Sequence, residues 1–140
     1  MAFKKLESAG YLTNHAARLF AQALREKISP LGIAPAQFMV LIELWQEDGL
    51  TQSELVTRLD VEQATMANTL ARMERDGLIE RRQHPEDKRA RMNFLTPKAR
   101  SLEVEATNAA REVNTAFLEP LSAGERTQFI GLMRRIIGKN

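Results

Sequence analysis

The 140-residue chain contains no cysteine, one tryptophan, one tyrosine and two histidines. Without cysteine there are no disulfides, thiol nucleophiles, thiolate metal sites or thiol-based peroxide sensing. His15 and His84 alone are too few for an imidazole zinc site, so neither a metal nor a cofactor is expected. No apolar run reaches the roughly 18 residues that a membrane span requires. The opening residues, MAFKKLESAGYL, lack the apolar core and cleavage site of a signal peptide. A cytoplasmic protein with no membrane partner is the expectation. There is also no nucleophile–base set, metal cluster or phosphate-binding glycine loop, which argues against an enzyme.

What is present is an ordinary balance of 44% apolar and 27% charged residues. A chain of this length is expected to form one domain, residues 1–140, and to bury roughly two-thirds of its unfolded surface. Its net charge of +2 is unevenly spread. Residues 35–62 set Arg58 against Glu43, Glu47, Asp48, Glu54, Asp60 and Glu62, a balance of −5. Residues 81–100 set seven basic side chains against Glu86 and Asp87, a balance of +5, and residues 101–125 return to −4. Charge alone leaves two readings of the basic stretch: a polyanion met at one place, or a solvated hairpin.

No internal repeat or low-complexity segment is visible. Leu12, Ala16, Leu19, Ala23 and Leu24 recur at helical spacing, predicting an amphipathic helix over 6–28 that ends at SPLGIAP. Residues 36–46 are apolar nearly all round, as in a helix buried on several sides. TQSE at 51–54 is a capping box opening a short helix that closes near Asp60. A second helix is predicted over 62–76 and stops at Gly77. Two short helices joined by a tight turn make a helix-turn-helix. Strands at 78–82 and 91–95 flank the loop QHPEDKRA, with Met92 and Phe94 on one face and Arg91 and Asn93 on the other. Thr96 and Pro97 then start a helix to about Phe117, and SAGE at 122–125 caps a last one. The expected fold is mainly α with a small β-hairpin, a winged helix-turn-helix between N- and C-terminal helices.

On a helical wheel Met66, Leu70 and Met73 share an inner face of the 62–76 helix. Val61, Thr65, Asn68, Arg72 and Arg75 lie opposite, beside Ala64 and Ala71. A small, polar, basic face suits entry into the major groove, where Asn reads adenine and Arg reads guanine or holds phosphate. Many solvated surface helices share that composition, and the basic ribbon that follows favours the groove. At the ribbon tip Lys88 and Arg89 are expected to be exposed, with Asp87 either an ordinary turn residue or a partner orienting a guanidinium. A restrained arginine suits a narrow minor groove.

The run LARMERDGLIER (70–81), the wing DKR (87–89) and the LTPK (95–98) that leads into the next helix resemble the winged-helix core of the multiple antibiotic resistance regulator (MarR) family. The resemblance is strong over about 45 residues. It departs at Ala99, where the family usually carries glycine. The resemblance implies a homodimeric DNA-binding transcriptional regulator, a repressor, on a near-palindromic double-stranded operator. Residues 6–34 and 97–140 would be its dimerisation helices and 35–96 its DNA-binding core. Matched residue by residue, the implied DNA contacts are Thr51, Gln52 and Ser53, then Gln63, Thr65, Asn68, Thr69 and Arg72, and Asp87, Lys88 and Arg89 in the wing. The long apolar stripes of the terminal helices independently suggest a partner subunit.

Relatives in this family often release DNA on binding small aromatic carboxylates or phenols. The residues that would line such a site are Tyr11, His15, Arg18, Phe38 and Trp45, although structural roles for His15 and Arg18 and a core role for Trp45 are equally natural. A winged-helix module that binds protein, and an architectural protein that binds DNA without sequence preference, are the alternative readings.

Overall fold

Ser8 starts the first expected helix three residues late, because its hydroxyl caps the new start by accepting the Tyr11 amide at 3.2 Å. In the computed structural model, which describes residues 1–139, α1 accordingly spans Ala9–Ile28 and a short 3-10 turn occupies Lys5–Glu7. The chain continues as α2 (Pro35–Gln46), β1 (Leu50–Thr51), α3 (Gln52–Leu59), α4 (Gln63–Arg75), β2 (Ile79–Gln83), β3 (Arg91–Leu95), α5 (Pro97–Ser101), α6 (Glu103–Phe117) and α7 (Ala123–Ile137). The helix expected over 97–117 is thus two. Ser101 Oγ donates to Lys98 O at 2.7 Å, and the Leu102 amide turns instead to Ala99 O at 3.2 Å, which tightens the backbone there. The last residue of the expected 97–140 segment, Asn140, lies outside the described residues.

The three capping signals form as read. Thr51 and Glu54, and Ser122 and Glu125, close reciprocal boxes, while Thr96 accepts from the Ala99 amide with Pro97 in the first turn. Each satisfies amides that the first helical turn otherwise leaves unpaired. Ala99, the departure from the family pattern, is fully buried, and its carbonyl accepts from Trp45 Nε1 at 3.1 Å.

One core joins the two parts of the sequence. Leu24 and Ile28 at the end of α1 meet Phe38, Leu41 and Leu44 of α2, then Met66, Leu70 and Met73 of α4. Leu55, Leu78 and Ile79 close it from the winged-helix side, and Ala106 and Val113 from α6. α1 and α6 also pair directly, through an edge-on Phe20–Phe117 contact at 5.9 Å and a Lys27–Glu112 ion pair at 2.7 Å.

The hairpin belongs to a three-stranded antiparallel sheet, ordered β1-β3-β2. β1 is only two residues long, too short for an alternation pattern, and it pairs Leu50 with Asn93 and Thr51 with Met92. The strand alternates as expected, with Met92 and Phe94 on one face and Arg91 and Asn93 on the other, and it is Asn93 that turns into the core. Asn93 is fully buried and donates from Nδ2 to Leu50 O at 2.9 Å, while Met92 and Phe94 are half-buried. The amide of Gly49 donates to Asn93 O at 3.0 Å. Phe94 packs over Gly49 and beneath the Arg82 guanidinium, 4.5 Å from the ring centre. Asp48 pins the same corner: Oδ1 accepts the Gly49 and Leu95 amides and Oδ2 accepts from Arg100 at 2.7 Å. Among the described residues no single helix is long and apolar enough to cross a membrane.

Candidate nucleic-acid interface

The α3–α4 corner turns through Asp60, whose φ of 52° is in the left-handed region that Asp tolerates better than bulkier residues. This sharp turn lays α4 across α3. Leu55 from α3 and Met66, Leu70 and Met73 from α4 face inward. Gln63, Ala64, Thr65, Asn68, Ala71, Arg72 and Arg75 are left exposed. One expected member of that outer face and one implied DNA contact sit differently. Val61 precedes the helix and packs against the core, and Thr69 is half-buried, its hydroxyl donating to Thr65 O at 3.0 Å.

The wing is ordered by its own polar side chains. His84 Nδ1 accepts the Glu86 and Asp87 amides at 3.1 and 3.3 Å, and the Ala90 amide returns to Asp87 O at 3.1 Å. Asp87 does not pair with a guanidinium. Its Oδ1 accepts the backbone amide of Arg89 at 3.0 Å, because a carboxylate two residues upstream reaches the amide more easily than the end of the side chain. Lys88 and Arg89 are both exposed at the tip.

Thr51, Gln52, Ser53, Gln63, Asp87 and Arg89 come together around one cleft of about 390 Å³ between the starts of α3 and α4 and the wing. Thr65, Asn68 and Arg72 continue along the exposed side of α4. Sequence reasoning missed Arg81 and Arg91, which also line the cleft. The charge count at 81–100 includes both residues, but only strand register says which of them points inward. Thr51 is largely committed to its cap, accepting the Glu54 amide and donating to Glu54 Oε1 at 3.0 Å.

At the far end of α4, Gln37 Nε2 donates to Asp76 Oδ2 at 2.9 Å, and Gln37 Oε1 accepts the Ala34 amide at 3.0 Å. This buried glutamine ties the α1–α2 joint to the end of α4. Its hydrogen bond, followed by that from Arg75, holds the Asp76 carboxyl below its ordinary value. The Arg58 guanidinium is pushed up, first by its hydrogen bond to Glu47.

The five candidate effector residues are not assembled within one chain. Tyr11 and His15 stack edge-on at 6.3 Å on the exposed side of α1, where Arg18 is exposed as well. Phe38 is 2% exposed and packs edge-on against Trp45, whose only donor is used by Ala99 O. Phe38 therefore offers a ligand no surface, since α2 is buried on several sides. A separate open groove of about 460 Å³ runs between α1, α6 and α7, lined by Leu12, Ala16, Phe20, Phe117, Phe129 and Met133.

A helix-turn-helix with a small, polar, basic outer face and an ordered cationic ribbon beside it defines a winged-helix DNA-binding protein. The family model described as MarR family matches residues 33–90. The transcriptional regulator HosA of Escherichia coli is 33% identical over 101 residues, 72% of this chain and 75% of HosA. The HTH-type transcriptional regulator YwoH of Bacillus subtilis is 38% identical over 86 residues, 61% of this chain and 62% of YwoH. The chain belongs to the MarR family, and the relatives it matches are transcriptional regulators. Among solved structures, a mutant MarR from E. coli complexed with operator DNA superposes with a TM-score of 0.84 at 26% identity, covering 91% of each chain. The PcaV regulator of Streptomyces coelicolor, in complex with its natural ligand, gives 0.88 at 25% identity over 99% of this chain and 97% of PcaV.

Proposed function

We propose that the protein acts as a homodimeric, sequence-specific repressor that a small aromatic or phenolic ligand releases from DNA. The observation that carries this reading is the convergence of the α3 start, the α4 start and the wing on one cleft whose lining includes Arg81, Arg89 and Arg91 against Asp87. Two copies of α4 enter successive major grooves of a near-palindrome about 34 Å apart, and the wings grip flanking minor grooves. Gln52, Ser53, Gln63, Thr65, Asn68 and Arg72 face the major groove, with Thr51 and Thr69 shaping its neighbours through their backbone bonds. Lys88 and Arg89 meet the minor groove, and Asp87 holds the tip in shape.

Dimerisation falls to the terminal helices, 6–34 and 97–140. No residue of α7 is buried within one chain, yet Ile130, Leu132, Ile136 and Ile137 are 47%, 47%, 78% and 59% exposed. An apolar stripe of this kind wants a partner, and in the family pattern the partner is a second copy. An effector carboxylate would find Arg18, His15 and Tyr11 on α1, next to the helices that set the spacing of the two lobes. Moving those helices misaligns the paired recognition helices, and PcaV's ligand complex supports ligand control of such a framework.

Fluorescence anisotropy on duplexes selected from a random pool tests the reading. The wild type should bind with an affinity that falls steeply with salt, and Arg89→Ala should lose about tenfold. Binding that is indifferent to Arg89 and to salt would favour a protein-interaction module, and binding without sequence enrichment an architectural role.

A further inference from the structure

Arg81 is not on the outer face of α4 and does not sit at the wing tip. It stands on β2 opposite Asn93, half-buried, with its Nε enclosed and unpartnered. Its Nη2 lies 3.4 Å from Gln52 Oε1 at the start of α3. Gln52 Nε2 in turn donates to Gln63 Oε1 at 3.2 Å and reaches Gln63 O at 3.5 Å. Three elements, β2, α3 and α4, are thus linked through one line of side-chain amides.

The direction of that line is fixed at one end. A guanidinium has donors and no acceptor, so the group that meets it must be an amide oxygen. With its oxygen turned to Arg81, Gln52 presents its NH2 to Gln63. Gln63 must answer with its own oxygen, and its NH2 is left facing outward. Among the described residues Gln63 Nε2 donates to no protein group. Gln63 is the first residue of α4, at the end of a recognition helix that approaches base edges.

We infer that Arg81 is a positioning residue: it sets the polarity of the Gln52–Gln63 relay so that Gln63 meets DNA as a hydrogen-bond donor and favours guanine. Guanine is the base whose major-groove edge offers two adjacent acceptors, N7 and O6, and no donor. The inference rests on the proposed DNA-binding function and gives one side chain a base class.

The test compares wild type, Arg81→Lys, Arg81→Ala and Gln52→Glu by sequencing duplexes retained from a random pool, then by titration at two salt concentrations. Wild type should enrich guanine at one position per half-site, preferred roughly tenfold over other bases. Arg81→Lys, also a pure donor, should keep the preference. Arg81→Ala frees both amides to flip and should flatten that position, while the other positions of the half-site keep their order of preference. Gln52→Glu removes the NH2 while leaving Arg81 in place, so Gln63 must donate inward and turn its oxygen out. Its preferred base should shift to a donor edge, cytosine N4 or adenine N6, on top of a general loss from the added charge. Gln52→Glu keeps the test decisive if Arg81→Ala fails to fold.

An Arg81→Ala protein that loses affinity evenly across sequences, with the salt slope lowered by about 1, would make Arg81 a phosphate contact and overturn the inference. An unchanged guanine preference in both Arg81→Ala and Gln52→Glu would overturn it too. Failure of the wild type itself to select any sequence is distinguishable, because it removes the DNA-binding function on which the inference stands.

Discussion

Asp87 Oδ1 accepts the backbone amide of Arg89 at 3.0 Å, so the wing's acidic residue holds the main chain of its neighbour and leaves the arginine side chain free. Asp87→Asn keeps an acceptor oxygen in the same place and should bind DNA about as well as wild type. Asp87→Ala removes it, loosens the tip and should weaken binding by roughly tenfold, the scale of one lost hydrogen bond. Titration of both variants at one salt concentration checks this. If Asn were as damaging as Ala, the carboxylate charge would matter more than the turn.

The exposed stripe of α7 makes a second prediction. Ile130 is 47% exposed in one chain and lines the groove between α1, α6 and α7. Ile130→Asp should convert a dimer to a monomer at micromolar concentration, because burying an unpaired carboxylate costs several kcal/mol. Sedimentation equilibrium reads the mass directly. A dimer of unchanged strength would place the partner surface elsewhere.

At Gly49 the backbone has φ +78°, and an added Cβ would sit 2.9 Å from Phe94 Cε1. Gly49→Ala therefore meets both backbone strain and a ring that carries Arg82 on its other side. A loss of about 1–3 kcal/mol is expected in urea unfolding, with no change in the secondary-structure spectrum. An unaltered midpoint would show that the ring moves aside freely.

Asp76 sets a pH dependence. Its carboxyl is held below the ordinary value by Gln37 first and Arg75 second. A carboxyl lowered in the folded state contributes stability that is complete above its unfolded pKa, near 3.9, and is lost as pH falls through the folded value. Asp76→Asn should therefore cost stability at neutral pH and make the acid side of the unfolding profile shallower than in wild type below about pH 4. Gln37→Leu, which removes the hydrogen bond and leaves the carboxyl, should reproduce most of that flattening. Parallel wild-type and variant profiles would remove Asp76 as the linked group.

The elements that could be read from the sequence are those with local causes. Thr51–Glu54, Ser122–Glu125 and Thr96–Pro97 announce helix starts within four residues, and Met66, Leu70 and Met73 repeat at one helical spacing. What escaped depends on residues far apart in the chain. β1 exists because Leu50 and Thr51 meet Asn93 and Met92 more than forty positions on, and the burial of Asn93 beneath that pairing has no local signal. The same applies to the site. Lys88 and Arg89 stood out as a charged turn, whereas Arg81 became part of the cleft only through its strand register and its approach to Gln52. Among the effector candidates, Phe38 and Trp45 look equally apt for a pocket and for a core, and only the fold shows Phe38 buried with Trp45 packed edge-on against it.

Selection of duplexes from a random pool by the purified protein, with the spacing of the enriched half-sites read from the retained sequences, tests the central claim most directly. A dimer presenting two α4 helices predicts inverted half-sites about 10 to 11 base pairs apart, centre to centre, bound more weakly as salt rises. A single unpaired half-site, or retained DNA with no common sequence, would contradict the paired winged-helix reading.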